Sequence, residues 1–339
     1  IGYKSINSKY YFDKIKPSYI SYFQQEEAVR KINELSKNDL NWYKFNIPKK
    51  SGGYRVIHKP SDELKEILLT IKELFERLNI PPSDEAFAYV EGRSTFMCRQ
   101  KHADNQSKWF LNIDIEDFFG FCNPNLVVSE ITNLYPIYFF SDDRKKQLTD
   151  LLRAYCFLND GLPQGSPVSP LLSNLTFIRY DYEIKRFLNK IRQMYYKEPF
   201  IYTRYADDIE ISSKVKFDPN LIIDGLKEIL NPFKIKDKKT KFGNNNVVGV
   251  WGLGILYNNA NQFSLGRENI DDLEHDILNM ITYSNQGLLY DVRKAQQSLG
   301  NINYFTNINN QQVENILNKF KRRFNFDVIK FLKKSINQK

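Results

Sequence analysis

The stretch "TRYADDIEISS", residues 203–213, limits what this chain can become more than any other. Polar and apolar residues alternate on both sides of Ala206-Asp207-Asp208, which predicts a hairpin with the acids at its turn. Aspartate is common in turns because its side chain bonds nearby backbone, so the position alone is unremarkable. The doubling is not: adjacent carboxylates with apolar flanks repel one another, and a cation is the economical way to hold them together.

A second acidic position gives that cation somewhere to bind. "KWFLNIDIEDFF", residues 108–119, reads as a short apolar strand with Asp114 at its end. If the two strands are antiparallel neighbours, Asp114 and Asp207 can share two Mg2+ ions, set about 3.5–4 Å apart for phosphoryl transfer. Mg2+ keeps several waters and takes few protein carboxylates, with substrate phosphates completing its shell. Between the strands lies "LPQGSPVSP", residues 162–170, a loop stiffened by Gly165 and three prolines that feeds a long helix from about Ser169. The loop would hold Gln164 over the sheet, where there would be room for an incoming nucleotide.

The remaining pattern is a framework for these segments. Residues 1–45 read as helical, and "IPKKSGGYRVIHKP" as a hairpin with a basic, glycine-rich tip. Ser61 caps a helix with apolar residues at 64, 67, 68, 71 and 75. "LYPIYFF" at 134–140 reads as core, "FKIKDKKTKFG" as one strand-like piece and "VVGVWGLGIL" as a glycine-spaced hairpin. After Arg267, Ile270, Leu273, Ile277 and Ile281 step at helical spacing, and "VENILNKFKRRFNFDVIKFLKK" continues in helical register with seven Lys or Arg between 319 and 334. This order of elements suggests an α+β palm with helical appendages. Against 40 acidic residues stand 49 basic ones, and the net charge of +9 favours a polyanionic partner such as nucleic acid. No apolar run approaches a membrane span. Cys98, Cys122 and Cys156 form no CxxC pair, which fits a reducing compartment rather than a zinc knuckle or disulfide framework.

"FLNIDIEDFF", "LPQGSPVSPLLSNL" and "YTRYADDIEIS", in this order, resemble the A, B and C motifs of reverse transcriptases. The resemblance implies a right-hand polymerase fold of fingers, antiparallel-sheet palm and helical thumb, and RNA-templated DNA synthesis. It divides the chain into an N-terminal helical extension (1–45), fingers and palm (46–245), and primer grip with thumb (246–339). It implies that Asp114, Asp207 and Asp208 are catalytic, with metal on Asp114, the Ile115 carbonyl and Asp207. For the dNTP it implies Arg55 and Lys50 at the triphosphate, Phe119 against a ribose 2′-hydroxyl, Gln164 beside the nucleotide, and Lys239 as proton donor to pyrophosphate. Trp251, in the expected primer grip, and Lys319, Arg322 and Arg323 of the thumb would contact nucleic acid.

A narrower resemblance, to bacterial retron-type enzymes, takes in "DKKT" and "LGRENIDDLEHDI". The Asn-Ala-x-x-His element of that group is reduced here to His102, read as a folding or RNA-contact residue, and its Val-Thr-Gly becomes Val250-Trp251-Gly252. The group implies a cytoplasmic bacterial enzyme that copies a structured noncoding RNA into DNA, passes through an RNA–DNA hybrid and works with an effector protein in antiphage defence. Two alternatives fit the same residues. One is a related abortive-infection enzyme with protein-primed or untemplated synthesis. The other is an idle nucleic-acid-binding scaffold.

Overall fold

The computed structural model describes residues 22–36, 40–48, 52–245, 250–258 and 262–337. In chain order the elements are α1 (Tyr22–Leu35), β1 (Trp42–Pro48), β2 (Tyr54–Pro60), α2 (Asp62–Arg77), α3 (Thr95–Asp104), β3 (Trp109–Glu116), α4 (Phe118–Phe121), α5 (Pro124–Thr132) and α6 (Asp142–Tyr155). They continue with α7 (Ser169–Ile191), β4 (Phe200–Tyr205), β5 (Asp208–Ser213), α8 (Pro219–Ile229), β6 (Lys234–Ile235), β7 (Lys241–Asn244), β8 (Val250–Gly252), β9 (Ile255–Tyr257) and β10 (Phe263–Leu265). Four helices close the chain: α9 (Arg267–Asn285), α10 (Val292–Ile308), α11 (Asn310–Phe324) and α12 (Val328–Ile336). The fold is α+β with antiparallel sheets.

The chain forms two interleaved compact units, the first from residues 1–89, 116–184 and 229–234, the second from 90–115, 185–228 and 235–339. In the first unit, β1 and β2 make a ribbon in register from Trp42↔Pro60 to Pro48↔Tyr54. Residues 42–45 are therefore strand rather than helix, because a partner strand pairs with them. The Oγ of Ser61 accepts from the Leu64 amide at 3.3 Å and starts α2, which buries Leu64, Ile67, Leu68, Ile71 and Phe75. Each such side chain contributes roughly 1.5–3 kcal/mol relative to exposure. Phe118, Phe177, Tyr180 and Phe233 form an aromatic core beneath α4 and α7. The 134–140 stretch is only partly core. Leu134 and Ile137 are buried, but a tight 3-10 turn over Ile137–Phe139 throws Tyr138 and Phe139 outward.

The second unit is built on the sheet β4-β5-β3, with β6 and β7 on the far side of β3. "FKIKDKKTKFG" is thus two short strands, not one, because Asp237–Lys239 make a 3-10 turn between them. Beyond it, β8, β9 and β10 form a small sheet whose Ile255, Tyr257 and Leu265 share a core with Leu273, Ile277, Tyr290 and Phe331 of the C-terminal helices and loops. The basic tail is broken into α11 and α12 where Asn325 adopts a left-handed conformation, φ 52°. Among the described residues, no helix is long and apolar enough to cross a membrane.

Candidate functional site

The site is assembled by strand register. β3 and β5 run antiparallel with Asp114 directly opposite Asp208, and the Ile115 amide donates to the Asp207 carbonyl at 2.9 Å. β4 and β5 are joined at Ala206-Asp207, with Tyr205 paired to Asp208. Ala206 takes φ 57°, as a two-residue hairpin turn demands, and the buried Arg204 donates to its carbonyl at 3.3 Å. The three carboxylates therefore meet at one sheet end, because β3 and β5 are antiparallel neighbours, the condition on which the sequence reading depended.

Their electrostatics are strained. Burial, with added repulsion from Asp114, raises the pKa of Asp207. Asp208 stands exposed at the mouth of the site, yet desolvation and the charges of Asp207 and Asp114 push it up to about 6. Asp114 shifts the other way. Burial alone would raise its pKa, but hydrogen bonds from Lys236 and Lys239 outweigh burial and hold it below the ordinary value. The Lys236 ammonium contacts Asp114 Oδ1 and, at 3.4 Å, the Ile115 carbonyl. Lys239 Nζ lies 2.8 Å from Asp114 Oδ2.

Whether these residues suit a metal is a question of donors and charge. The donors are all hard oxygens, carboxylate and carbonyl, which suit Mg2+, Mn2+ or Ca2+. The Lys236 ammonium already lies against the same two groups, Asp114 and the Ile115 carbonyl, that would hold a cation. As the side chains stand, no cluster of three or more His, Cys, Asp or Glu among the described residues is tight enough to cage an ion. The donor chemistry suits a divalent cation, and the two lysines stand where it would bind. Asp114 and Asp208, but not Asp207, border a cavity of about 320 Å³ whose lining also includes Glu210, Lys239, Gly252 and Leu253.

The other expected residues have the following places. In the first unit, Arg55 projects from β2 into solvent, and the Gln164 carbonyl accepts from the His58 amide of the same strand at 2.7 Å. Gly165 follows at φ 112°, where a Cβ would lie 2.7 Å from the His58 carbonyl oxygen. Phe118 is the core aromatic and Phe119 is half-buried, its ring 6.4 Å from that of Tyr89. Lys50 and the side chain of Trp251 lie outside the described residues. Lys319 pairs with Glu274 at 2.8 Å, while Arg322 and Arg323 are exposed. His102 is fully buried, away from any RNA, between Ser212 and Thr203. Sequence reasoning missed Lys236, one of several lysines in "KIKDKK", and Arg99 and Glu210. The local signal for Glu210 was a second charge within the strand, between Ile209 and Ile211.

Comparison with known proteins gives the family. Residues 47–264 match the family described as reverse transcriptase (RNA-dependent DNA polymerase). The chain is 34% identical over 208 residues to the retron Ec73 reverse transcriptase of Escherichia coli, covering 58% of this chain and 63% of that one. It is 31% identical over 255 residues to the retron Ec83 reverse transcriptase of the same organism, covering 69% and 74%. Among solved structures, a Candida tropicalis telomerase bound to a TWJ fragment of telomeric RNA aligns at 12% identity with a TM-score of 0.49, covering 92% of this chain and 63% of that one. By its matched segment and by its sequence relatives, the chain belongs to the reverse transcriptase family, with the bacterial retron type as its kin.

Proposed function

We propose that this chain is an RNA-directed DNA polymerase of the retron type, extending a primer with dNTPs on a structured noncoding RNA. The pairing of Asp114 with Asp208 across β3 and β5, with Asp207 at the adjoining turn, is the observation that supports it most. Two Mg2+ ions on Asp114, the Ile115 carbonyl and Asp207 would supply the charge that activates the primer hydroxyl and neutralises the triphosphate.

The protein's own groups do the rest. Asp114 and Asp207 would hold the cations, and Asp208 would deepen the negative field around them. Lys239 is already beside Asp114 and is the group assigned to protonate the leaving pyrophosphate. Arg55, Lys50, Gln164 and Phe119 are assigned to the dNTP; Trp251, Lys319, Arg322 and Arg323 to nucleic acid. Fingers and palm over 46–245, followed by primer grip and thumb, are the division this reading uses, and antiphage defence with an effector partner is its biological setting.

Asp207→Asn tests it. The variant is expected to fold, with an unchanged circular dichroism spectrum, and to incorporate no dNTP on an RNA template. Incorporation near the wild-type rate would refute the assignment.

A further inference from the structure

Beyond Asp208, the polar face of β5 is buried and partnered. Along this strand Asp208, Glu210 and Ser212 point one way, Ile209 and Ile211 the other. Both faces are closed beyond Asp208, and Glu210 is only 7% exposed. Its carboxylate receives Nη1 of Arg99, itself 1% exposed, on both oxygens. Three residues along α3, on the same helix face, His102 binds Ser212 Oγ through Nδ1 at 2.6 Å and Thr203 Oγ1 through Nε2 at 2.8 Å. Ser212 in turn donates to Ser107 Oγ at 2.7 Å, so it accepts from Nδ1, and the neutral imidazole takes the Thr203 hydroxyl on Nε2. Burial keeps that imidazole neutral, with a pKa lowered to about 4. A third element closes over the ion pair. A Cβ on Gly252 would lie 2.5 Å from Arg99 Nη1 and 2.6 Å from Glu210 Oε2.

A buried ion pair is a poor choice for stability, since apolar side chains of the same volume often serve as well or better. Its value here is in what apolar packing cannot do. A slip of β5 by one residue would turn its isoleucines to the wrong face, and packing forbids it. A slip by two would keep one isoleucine on the apolar face and bring Ser213 or Asp207 to the place of the other, so packing opposes it less than a slip by one. The same slip would take Asp208 away from Asp114. The polar face resists it more strongly: Glu210 and Ser212 differ, Arg99 pairs with Glu210 of the two, and His102 hydrogen-bonds Ser212 while its Nε2 lies 3.5 Å from Glu210 Oε1.

We propose that Arg99 and His102 are positioning residues that read alternate side chains of β5 and lock the register placing Asp208 opposite Asp114. Arg99 and Glu210 also fix the Gly252 turn at the edge of the cavity the carboxylates border. The proposal rests on the polymerase reading for its consequence in activity, but not for its structural content.

The test is to replace the pair by apolar groups of similar shape, R99M/E210L, and to measure thermal midpoint, primer extension and amide exchange. Each single variant should melt lower, having left a buried charge alone, and the double variant should recover the wild-type midpoint. Its extension rate at saturating dNTP is nonetheless expected to fall about tenfold or more, with template–primer affinity unchanged, while amides of 203–213 exchange about tenfold faster. A double variant with wild-type rate and wild-type exchange would overturn the proposal. Arg99→Lys, which keeps the charge but loses the planar guanidinium and its reach, is the second probe. It should fold and show the same faster exchange in 203–213, and exchange indistinguishable from wild type would overturn the proposal even if the double variant did not fold. If the wild-type protein extends no primer, the polymerase reading fails, and exchange still decides the register lock.

Discussion

Asp114 already has cations on it, and they belong to the protein. Lys236 and Lys239 together occupy both carboxylate oxygens, and Lys236 reaches the Ile115 carbonyl as well. A divalent ion that binds Asp114 meets both ammonium groups, so the lysines compete with it. Lys236→Met is expected to bind Mn2+ several-fold more tightly than the parent, by roughly 1 kcal/mol, as read from the free-ion electron paramagnetic resonance signal. Equal affinities would mean that Lys236 yields at no cost. Asp208 makes a complementary statement about pH. Its carboxyl is raised from 3.8 to about 6, so between those values the folded chain keeps a proton that the unfolded chain releases. Stability from this group is therefore lost as pH rises from about 4 through 6, the reverse of the usual carboxylate. Asp208→Asn should melt higher than the parent near pH 7.5 and no higher near pH 4, and saturating Mg2+ should close the gap. A constant difference across that range would exclude the assignment.

At the level of elements, legibility followed locality. α2 could be read from the sequence because its cap and apolar face repeat within a few residues, and the β4–β5 hairpin because alternation flanks its turn. The split of 234–244 into two strands escaped notice because lysine and aspartate do not announce a 3-10 turn, and only pairing with β3 at both ends defines it. The break at Asn325 was hidden because helical spacing survives on either side. Of the site, the acids were legible from their doubling and their strand-end position. Arg99 was not, since its partner lies 111 residues away and nothing near Arg99 marks it for burial. The loop at Gln164 shows a further kind of constraint. Gly165→Ala would place a methyl 2.7 Å from the His58 carbonyl at an unfavourable φ. The expected cost is about 1–3 kcal/mol in denaturant unfolding, and a variant as stable as the parent would show that the loop can rest elsewhere.

Across the whole molecule the excess of 49 basic over 40 acidic residues sets the terms of binding. Affinity for an RNA–DNA hybrid should fall steeply with salt, because each neutralised phosphate releases counterions. Arg322 and Arg323 are exposed, whereas Lys319 is tied to Glu274. Replacing both arginines by glutamine should reduce the slope of log affinity against log salt by about 1–2, and Lys319→Gln by less. Fluorescence anisotropy across a salt series would measure both, and slopes unchanged by the arginine pair would exclude that helix from the interface. The interleaving of the two compact units reaches further. The chain leaves one for the other after residues 89, 115, 184, 228 and 234, once in the middle of α7. No single scission can free either unit whole, so fragments made by proteolysis or truncation will behave as halves awaiting reunion, and only co-expressed pieces should regain a folded body.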